Sequence, residues 1–277
     1  MFGTAGTPVC CKGQGSKKGI EKVRELGLDA FEFEFVQSAN MKEENARECG
    51  RAAKENNVRL SAHAPYYVNL ISDEKEKRKA SIQRILATAK ILNWAGGTEV
   101  VFHPGFLGKF DKKKAFNEME NAFGVILDKM NEEKLSVVLS PETTGKHSAW
   151  GSFEETVEIS KKMGFDKVRP TIDWGHLHAR TNGGLKTRED FGDKLDYLKN
   201  QLGQKALNNL HCHLTGIRFS EKGEINHLKI SSKSPDYTQF WPELIKRKCS
   251  GTFISESPNI EVDALKMKKE YEKTQKT

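Results

Sequence analysis

The sequence predicts an α/β chain folded as one closed parallel barrel, (β/α)8 or TIM barrel, a single domain over residues 1–277. Three observations lead there. Short β-rich runs alternate with longer segments of helical periodicity along the whole chain. The alternation makes eight strand–helix units, the number that closes a barrel at this length. No linker, low-complexity tract or Pro/Gly/Ser-rich boundary interrupts it. An open doubly wound sheet would instead need a glycine-rich phosphate turn after an early strand, and Gly13-Gln14-Gly15 is too little to make one.

Taken in order, the first strand covers residues 2–6 and its helix 16–26. The second covers 29–35, where Phe31-Glu32-Phe33-Glu34-Phe35 alternates with a strict period of two, and its helix covers 42–56. Strand three (58–63) precedes a helix over 72–95, capped by Ser72-Asp73-Glu74 and ended by Gly96-Gly97. Strand four (99–103) leads to a helix over 111–132, and strand five (136–140) to a helix over 153–163 that stops at Gly164. Strand six (168–173) precedes a helix over 188–201, and strand seven (208–213) a helix over 237–248. Strand eight (252–256) is followed by a lysine-rich helix from Glu261 to the chain end.

Composition bounds the function. A hydrophobic fraction of 36% and a charged fraction of 30% describe a chain with an ample core and a wet surface. No apolar run reaches the roughly 18 residues of a membrane span, and the first residues lack the basic flank and apolar stretch of a signal peptide. The expected location is therefore cytoplasmic, and the expected state a monomer. The net charge of +7 permits phosphate contacts with nucleic acid, although the lysines are spread along helix faces. Five cysteines without a Cys-x-x-Cys pair argue against a disulfide framework or a cysteine metal knuckle.

The chemistry gathers at the strand ends. Strand three ends at His63, strand four at His103, strand five just before Glu142, strand six at Asp173, strand seven at His213 and strand eight at Glu256, with His176 shortly after strand six. In a barrel these ends converge on one mouth. Imidazole and carboxylate are the ligands of zinc, iron or manganese, and several carboxylates buried together without a cation would be costly. A lone strand-end histidine is usually structural, and a strand-end Asp is often a helix cap. Six consecutive strands ending in metal-ligand types are poorly explained that way. His211, two residues before His213, points to the same side one layer deeper and is expected to orient a ligand. His178 is expected in the loop after strand six, outside the first ring of ligands. His147 is assigned no role.

Together His63-Ala64-Pro65-Tyr66-Tyr67-Val68-Asn69-Leu70, His103-Pro104-Gly105, Pro141-Glu142-Thr143-Thr144-Gly145-Lys146, Ile172-Asp173-Trp174-Gly175-His176, His213-Leu214 and Glu256-Ser257-Pro258 resemble the endonuclease IV family of apurinic/apyrimidinic endonucleases, within the xylose-isomerase-like barrels. The resemblance spans roughly residues 3–258. It implies a centre of two or three zinc ions, with manganese a possible substitute. His63 and His103 would hold one metal, and Glu142 would bridge it to a second completed by Asp173, His213 and Glu256. His176 and His227 would hold a third. The family's pattern expects Asp two residues before His227, where this chain has Ile225. Glu224 would replace it only if the loop shifted by one residue.

The resemblance further implies hydrolysis of the phosphodiester 5′ to an abasic site in damaged double-stranded DNA, with Glu142 orienting the attacking water and taking its proton. Tyr66 and Lys146 would contact the substrate. Two other functions fit parts of the pattern. A sugar isomerase or epimerase of the same barrel would need only Glu142, Asp173, His213 and Glu256 around one metal. A non-catalytic metal-containing barrel that binds DNA would retain abasic DNA without nicking it.

Overall fold

The β-rich runs form eight parallel strands: β1 (Phe2–Ala5), β2 (Ala30–Glu34), β3 (Arg59–His63), β4 (Glu99–Phe102), β5 (Val138–Pro141), β6 (Thr171–Asp173), β7 (Leu210–Leu214) and β8 (Gly251–Ser255). Their order in the sheet is β5-β4-β3-β2-β1-β8-β7-β6. Parallel bridges Leu139↔Val168 and Glu142↔Thr171 join the two outer strands and close the cylinder. This computed structural model describes residues 1–276.

β2 shows how the sequence builds the wall. Phe31 packs outward against Gly19 of α1 (Gly15–Glu25), and Phe33 packs beside Phe31. Glu32 therefore points into the barrel, where it reaches Ser61 of β3 and His213 of β7. The other helices wrap the outside: α2 (Glu43–Asn56), α3 (Lys75–Ala95), α4 (Lys112–Glu132), α5 (Phe153–Met163), α6 (Trp174–Arg180), α7 (Arg188–Leu202), α8 (Gln204–Leu207), α9 (Phe240–Lys246) and α10 (Ile260–Gln275). Phe102 against Phe123, and Trp174 against Phe240 and Phe191, fill the layer between wall and helices. Each such ring contributes roughly 2–3 kcal/mol by leaving water.

The barrel's floor, at the N-terminal strand ends, holds its own charge cluster. Glu99 of β4 is 2% exposed and meets Arg59 at 2.9 Å and Arg169 at 3.2 Å.

Several local expectations shift. Ser72 does not cap α3: its hydroxyl accepts the Glu74 N–H in a turn that precedes the helix, and α3 begins only at Lys75. The helix expected over 237–248 is a 3-10 turn, Tyr237–Gln239, running into the shorter α9, whose first turn holds Pro242. α6 and an antiparallel hairpin, Gly216–Ser220 with Gly223–Leu228, are additions to the expected elements. α6 is too short for periodicity to register. The last helix ends at Gln275, and Thr277 lies outside the described residues. Among the described residues no helix is long and apolar enough to cross a membrane.

Candidate metal centre

Glu142, directly after β5, is fully buried and touches histidines from β3, β7 and α6 and the one that follows β4. Its Oε2 lies 3.1 Å from Nε2 of His63 and 2.9 Å from Nε2 of His103. Its Oε1 lies 3.2 Å from Nδ1 of His213 and 3.2 Å from Nδ1 of His176. Glu256 adds Oε1 at 3.1 Å from the same Nδ1 of His213. A third gathering surrounds Nε2 of His176, with Nε2 of His227 at 3.2 Å and Oε2 of Glu224 at 3.4 Å. Among the described residues five groups could hold a cation, three of them around Glu142 and His176: His63, His103 and Glu142; Glu142, Asp173, His213 and Glu256; and Asp173, His176 and His227. Glu32 joins the other two, one with His211 and His213 and one with Glu34 and Glu256.

Local structure aims these side chains. Asp173 ends β6 and caps α6, its Oδ1 accepting the His176 N–H at 2.6 Å. That cap fixes His176 on the first turn of α6. The cap uses only one carboxylate oxygen, and Oδ2 is left buried without a hydrogen-bond partner. A carbonyl oxygen can only accept, so each carbonyl in contact with a ring fixes the proton on the nitrogen facing it. Nδ1 of His63 donates to Ala64 at 2.7 Å, Nδ1 of His176 to Thr143 at 3.0 Å, and Nδ1 of His227 to Glu256 at 3.2 Å. All three rings then turn Nε2 to the mouth, where it can bind a cation once any second proton has left.

The hairpin after β7 resolves the missing aspartate. Its pairing runs Gly216↔Leu228, Ile217↔His227, Arg218↔Asn226, then shifts so that Phe219 faces Glu224. This bulge leaves Ile225 unpaired and exposed and brings Glu224 to the histidines. The one-residue shift that Glu224 needed is built into the backbone. Close approach to the loop after β5 holds it there: Glu224 N–H donates to Gly145 at 3.1 Å. A Cβ on Gly145 would stand 2.6 Å from the Cβ of Glu224, and one on Gly223 (φ +97°) would stand 2.2 Å from the Gly145 carbonyl. Only glycine fits either position.

The electrostatics couple the carboxylates of the mouth to its histidines. Burial opposes ionisation of Glu142, yet the surrounding histidines, His103 first, hold it well below the usual carboxylate range. Burial likewise opposes ionisation of Glu256, which His213 draws down to about 2. Burial pushes Asp173 up to about 7. Burial also disfavours charge on His63, but its contact with Glu142 raises it to about 9. His176 and His213 are raised well above the ordinary imidazole value, against burial, by Asp173 and Glu256 respectively. Without a metal the cluster balances itself with protons. The donor set also fits a metal sterically: ligands about 2.0–2.2 Å from a tetrahedral zinc stand about 3.3 Å apart, close to the 2.9–3.4 Å separations between the ligand-type atoms.

The remaining expectations divide. His211 lies one layer below His213, its Nε2 2.9 Å from Oε2 of Glu32. His178 is not in a loop and does not join the cluster. It is on α6, accepts the Leu185 N–H at Nδ1 (3.2 Å) and packs edge-on against Phe219. Burial lowers it to about 4, as for a neutral core histidine. Tyr66 stands half-exposed at the rim, its ring 5.4 Å from that of His63. Lys146 is exposed on the same rim, and with Tyr66, His103, Phe106 and Glu224 it lines a cavity of about 130 Å³.

Two residues went unassigned in the sequence: Glu32 and Glu34 of β2. Glu32 is fully buried, and Glu34 pairs in register with His63 at the mouth. Burial pushes Glu34 well above the carboxylate range, and its Oε1 has no hydrogen-bond partner. The Phe-Glu alternation carried the signal, since apolar residues facing the helices force the carboxylates between them into the barrel.

The family model described as "Xylose isomerase-like TIM barrel" matches residues 20–276. The chain belongs to that family. This xylose isomerase-like barrel is 37% identical over 271 residues to "Uncharacterized protein MJ0133" of Methanocaldococcus jannaschii, covering 98% of this chain and 96% of that one. It is 25% identical over 208 residues to "Probable endonuclease 4" of Clostridium botulinum, covering 72% and 73%. Among solved structures, endonuclease IV from Thermus thermophilus superposes with a TM-score of 0.73 at 16% identity, covering 100% of this chain and 99% of that one. A D-tagatose 3-epimerase-like protein also gives 0.73, at 18% identity, covering 100% and 97%. These two structures speak for the fold alone.

Proposed function

We propose that this barrel is a metal-dependent phosphodiesterase that cuts DNA 5′ to abasic sites, using two or three zinc ions, with manganese as a substitute. The observation that carries this reading is the third gathering, His176, His227 and Glu224. Isomerisation around one cation needs only Glu142, Asp173, His213 and Glu256. Four further histidines, His63, His103, His176 and His227, and the carboxylate of Glu224 converging on the mouth are the equipment of a multinuclear centre, and phosphodiester cleavage is chemistry that such centres serve. Bound at these groups, divalent cations supply charge for the phosphate oxygens and acidify a water.

The chain's own residues do the rest. Glu142 faces all three groups and is the carboxylate best disposed to orient a water and accept its proton. Tyr66 and Tyr67 expose their rings beside the mouth, and with Lys77, Arg84 and Phe106 they border a hollow of about 510 Å³. Aromatic faces beside basic side chains suit a flipped-out nucleotide and its flanking phosphates. The net charge of +7 favours the same polyanion. The similarity to proteins named "Probable endonuclease 4" supports this reading.

Sugar epimerisation is the second reading. One observation favours it: Glu142, Asp173, His213 and Glu256 alone form a four-ligand group. The deciding experiment incubates zinc-loaded protein with a duplex carrying one synthetic abasic site, with and without chelator. Chelator-sensitive nicking 5′ to the site is expected. An intact duplex, with epimerisation of a ketose by the same preparation, would sink the phosphodiesterase reading.

A further inference from the structure

Four of the five histidines of the mouth, His63, His176, His213 and His227, are not anchored alike. His63, His176 and His227 each donate Nδ1–H to a backbone carbonyl and turn Nε2 to the site. His213 is reversed. Its Nδ1 faces Glu142 and Glu256, and its Nε2 faces inward, 2.7 Å from Oε1 of Glu32. The contact is too bent to count as a hydrogen bond, and neither Nε2 nor Oε1 of Glu32 has a hydrogen-bond partner. If Nε2 did not turn its proton to Glu32, it would be left unpaired in a dry core, at about 1–3 kcal/mol.

Glu32 is itself held from two sides. Ser61 donates its hydroxyl to Oε2 at 2.6 Å, and Nε2 of His211 approaches the same oxygen at 2.9 Å. Glu32's contacts, at 2.6, 2.7 and 2.9 Å, have hydrogen-bond lengths, and one of its oxygens is already held by the Ser61 hydroxyl. With Oε2 taken by Ser61 and His211, Oε1 is the oxygen that faces His213.

We propose that Glu32 is a positioning residue for the metal centre: it holds the proton of His213 on Nε2, leaves Nδ1 bare for the cation, and makes that ring a stronger donor than its carbonyl-anchored neighbours. Ser61 and His211 fix Glu32 in turn. The inference rests on the reading of the mouth as a metal centre and is independent of which reaction that centre performs.

The test replaces zinc with cobalt(II), whose visible absorption reports ligand geometry, and measures cobalt and zinc affinity by competition with a chromophoric chelator. Glu32→Gln keeps the size and the Ser61 contact but loses the charge. About 10–100-fold weaker binding of one equivalent is expected, with a shifted cobalt band and the other equivalents unchanged. Glu32→Asp is expected to recover part of the affinity. Wild-type affinity and an unaltered spectrum in Glu32→Gln would overturn the proposal. If that variant does not fold, Ser61→Ala and His211→Gln are read the same way, and unchanged affinity and spectrum in both would overturn it. Wild-type protein that takes up no cobalt would sink the metal-centre reading itself, which separates the two failures.

Discussion

Both ends of this barrel bury a carboxylate, and they neutralise it in opposite ways. On the floor, Glu99 is closed off by the guanidinium groups of Arg59 and Arg169 and by the hydroxyl of Thr98. Guanidinium stays charged at any physiological pH, so that cluster is complete and permanent. At the mouth, every ion-pair partner of Glu142 and Glu256 among the described residues is a histidine. Imidazolium can surrender its proton, and imidazole can then bind a cation. The floor is built to remain as it is; on the proposed reading, the mouth is built to exchange protons for metal. A burial census alone would class Glu99 and Glu142 together. Their partners separate a structural ion pair from a reactive site.

The largest effect should come from the residue common to the mouth's groups. Glu142→Gln is expected to lower chelator-sensitive nicking by more than about 100-fold while the fold persists, because a neutral amide weakens contacts to several ligand groups at once. Steady-state nicking of an abasic duplex, with circular dichroism as the control, measures it. Cleavage at the wild-type rate would erase the distinction between the two ends. Glu224→Ala should act next most strongly. It removes one contact of the third gathering and leaves the rest, so elemental analysis should find up to one metal fewer per chain and nicking should fall about 10-fold. An unchanged metal count would return the third site to His176 and His227 alone.

Proton exchange at the mouth gives a pH signature. In metal-free protein, His63 titrates at about 9, and His176 and His213 lie well above their ordinary value. A histidine raised in the folded state contributes stability that is fully present below its unfolded pKa of about 6.5 and lost as pH rises through the folded value. Asp173, raised to about 7, acts with the same sign between its unfolded value and neutrality. Calorimetry should therefore show Tm of chelator-treated protein falling between about pH 6.5 and 9. Saturating zinc should remove most of that fall, because the bound form needs those nitrogens bare, and uptake of zinc near pH 7 should release protons into a weak buffer. A flat Tm in metal-free protein would mean that the histidines are not standing in for a cation.

How much of this was legible beforehand follows the periodicity of the chain. The barrel and its strand ends were readable, because each strand–helix unit is long enough to show its period and ends on a chemically distinct residue. α6 was not, being only Trp174–Arg180, so His178 was expected in a loop instead of a packed helix. The hairpin was not either. The bulge that exposes Ile225 and turns in Glu224 depends on the tight contact of Gly145 with Gly223, which lie far apart in the sequence. Glu32 was visible in the Phe-Glu alternation but silent about its partners, since Ser61, His211 and His213 come from strands across the barrel. Local pattern gives which way a side chain points, and only closure of the barrel says what it meets.

The smallest effect on function should come from the floor, and it tests the comparison from its other side. Glu99→Gln leaves Arg59 and Arg169 without their shared counter-charge. Breaking a fully buried pair costs about 3–5 kcal/mol, but Arg59 is 30% exposed and water can screen it, so about 2 kcal/mol is expected. For a chain of this size that lowers Tm by roughly 4–8 °C. The shift should persist with zinc present and keep its size between pH 6.5 and 9, because neither guanidinium titrates there. Metal content and nicking rate, measured well below Tm, should stay at wild-type values. A loss of zinc in Glu99→Gln would show that the two ends are coupled through the strands of β3 and β4, whose far ends carry His63 and lead into His103, and the separation drawn between a permanent floor and an exchangeable mouth would fail.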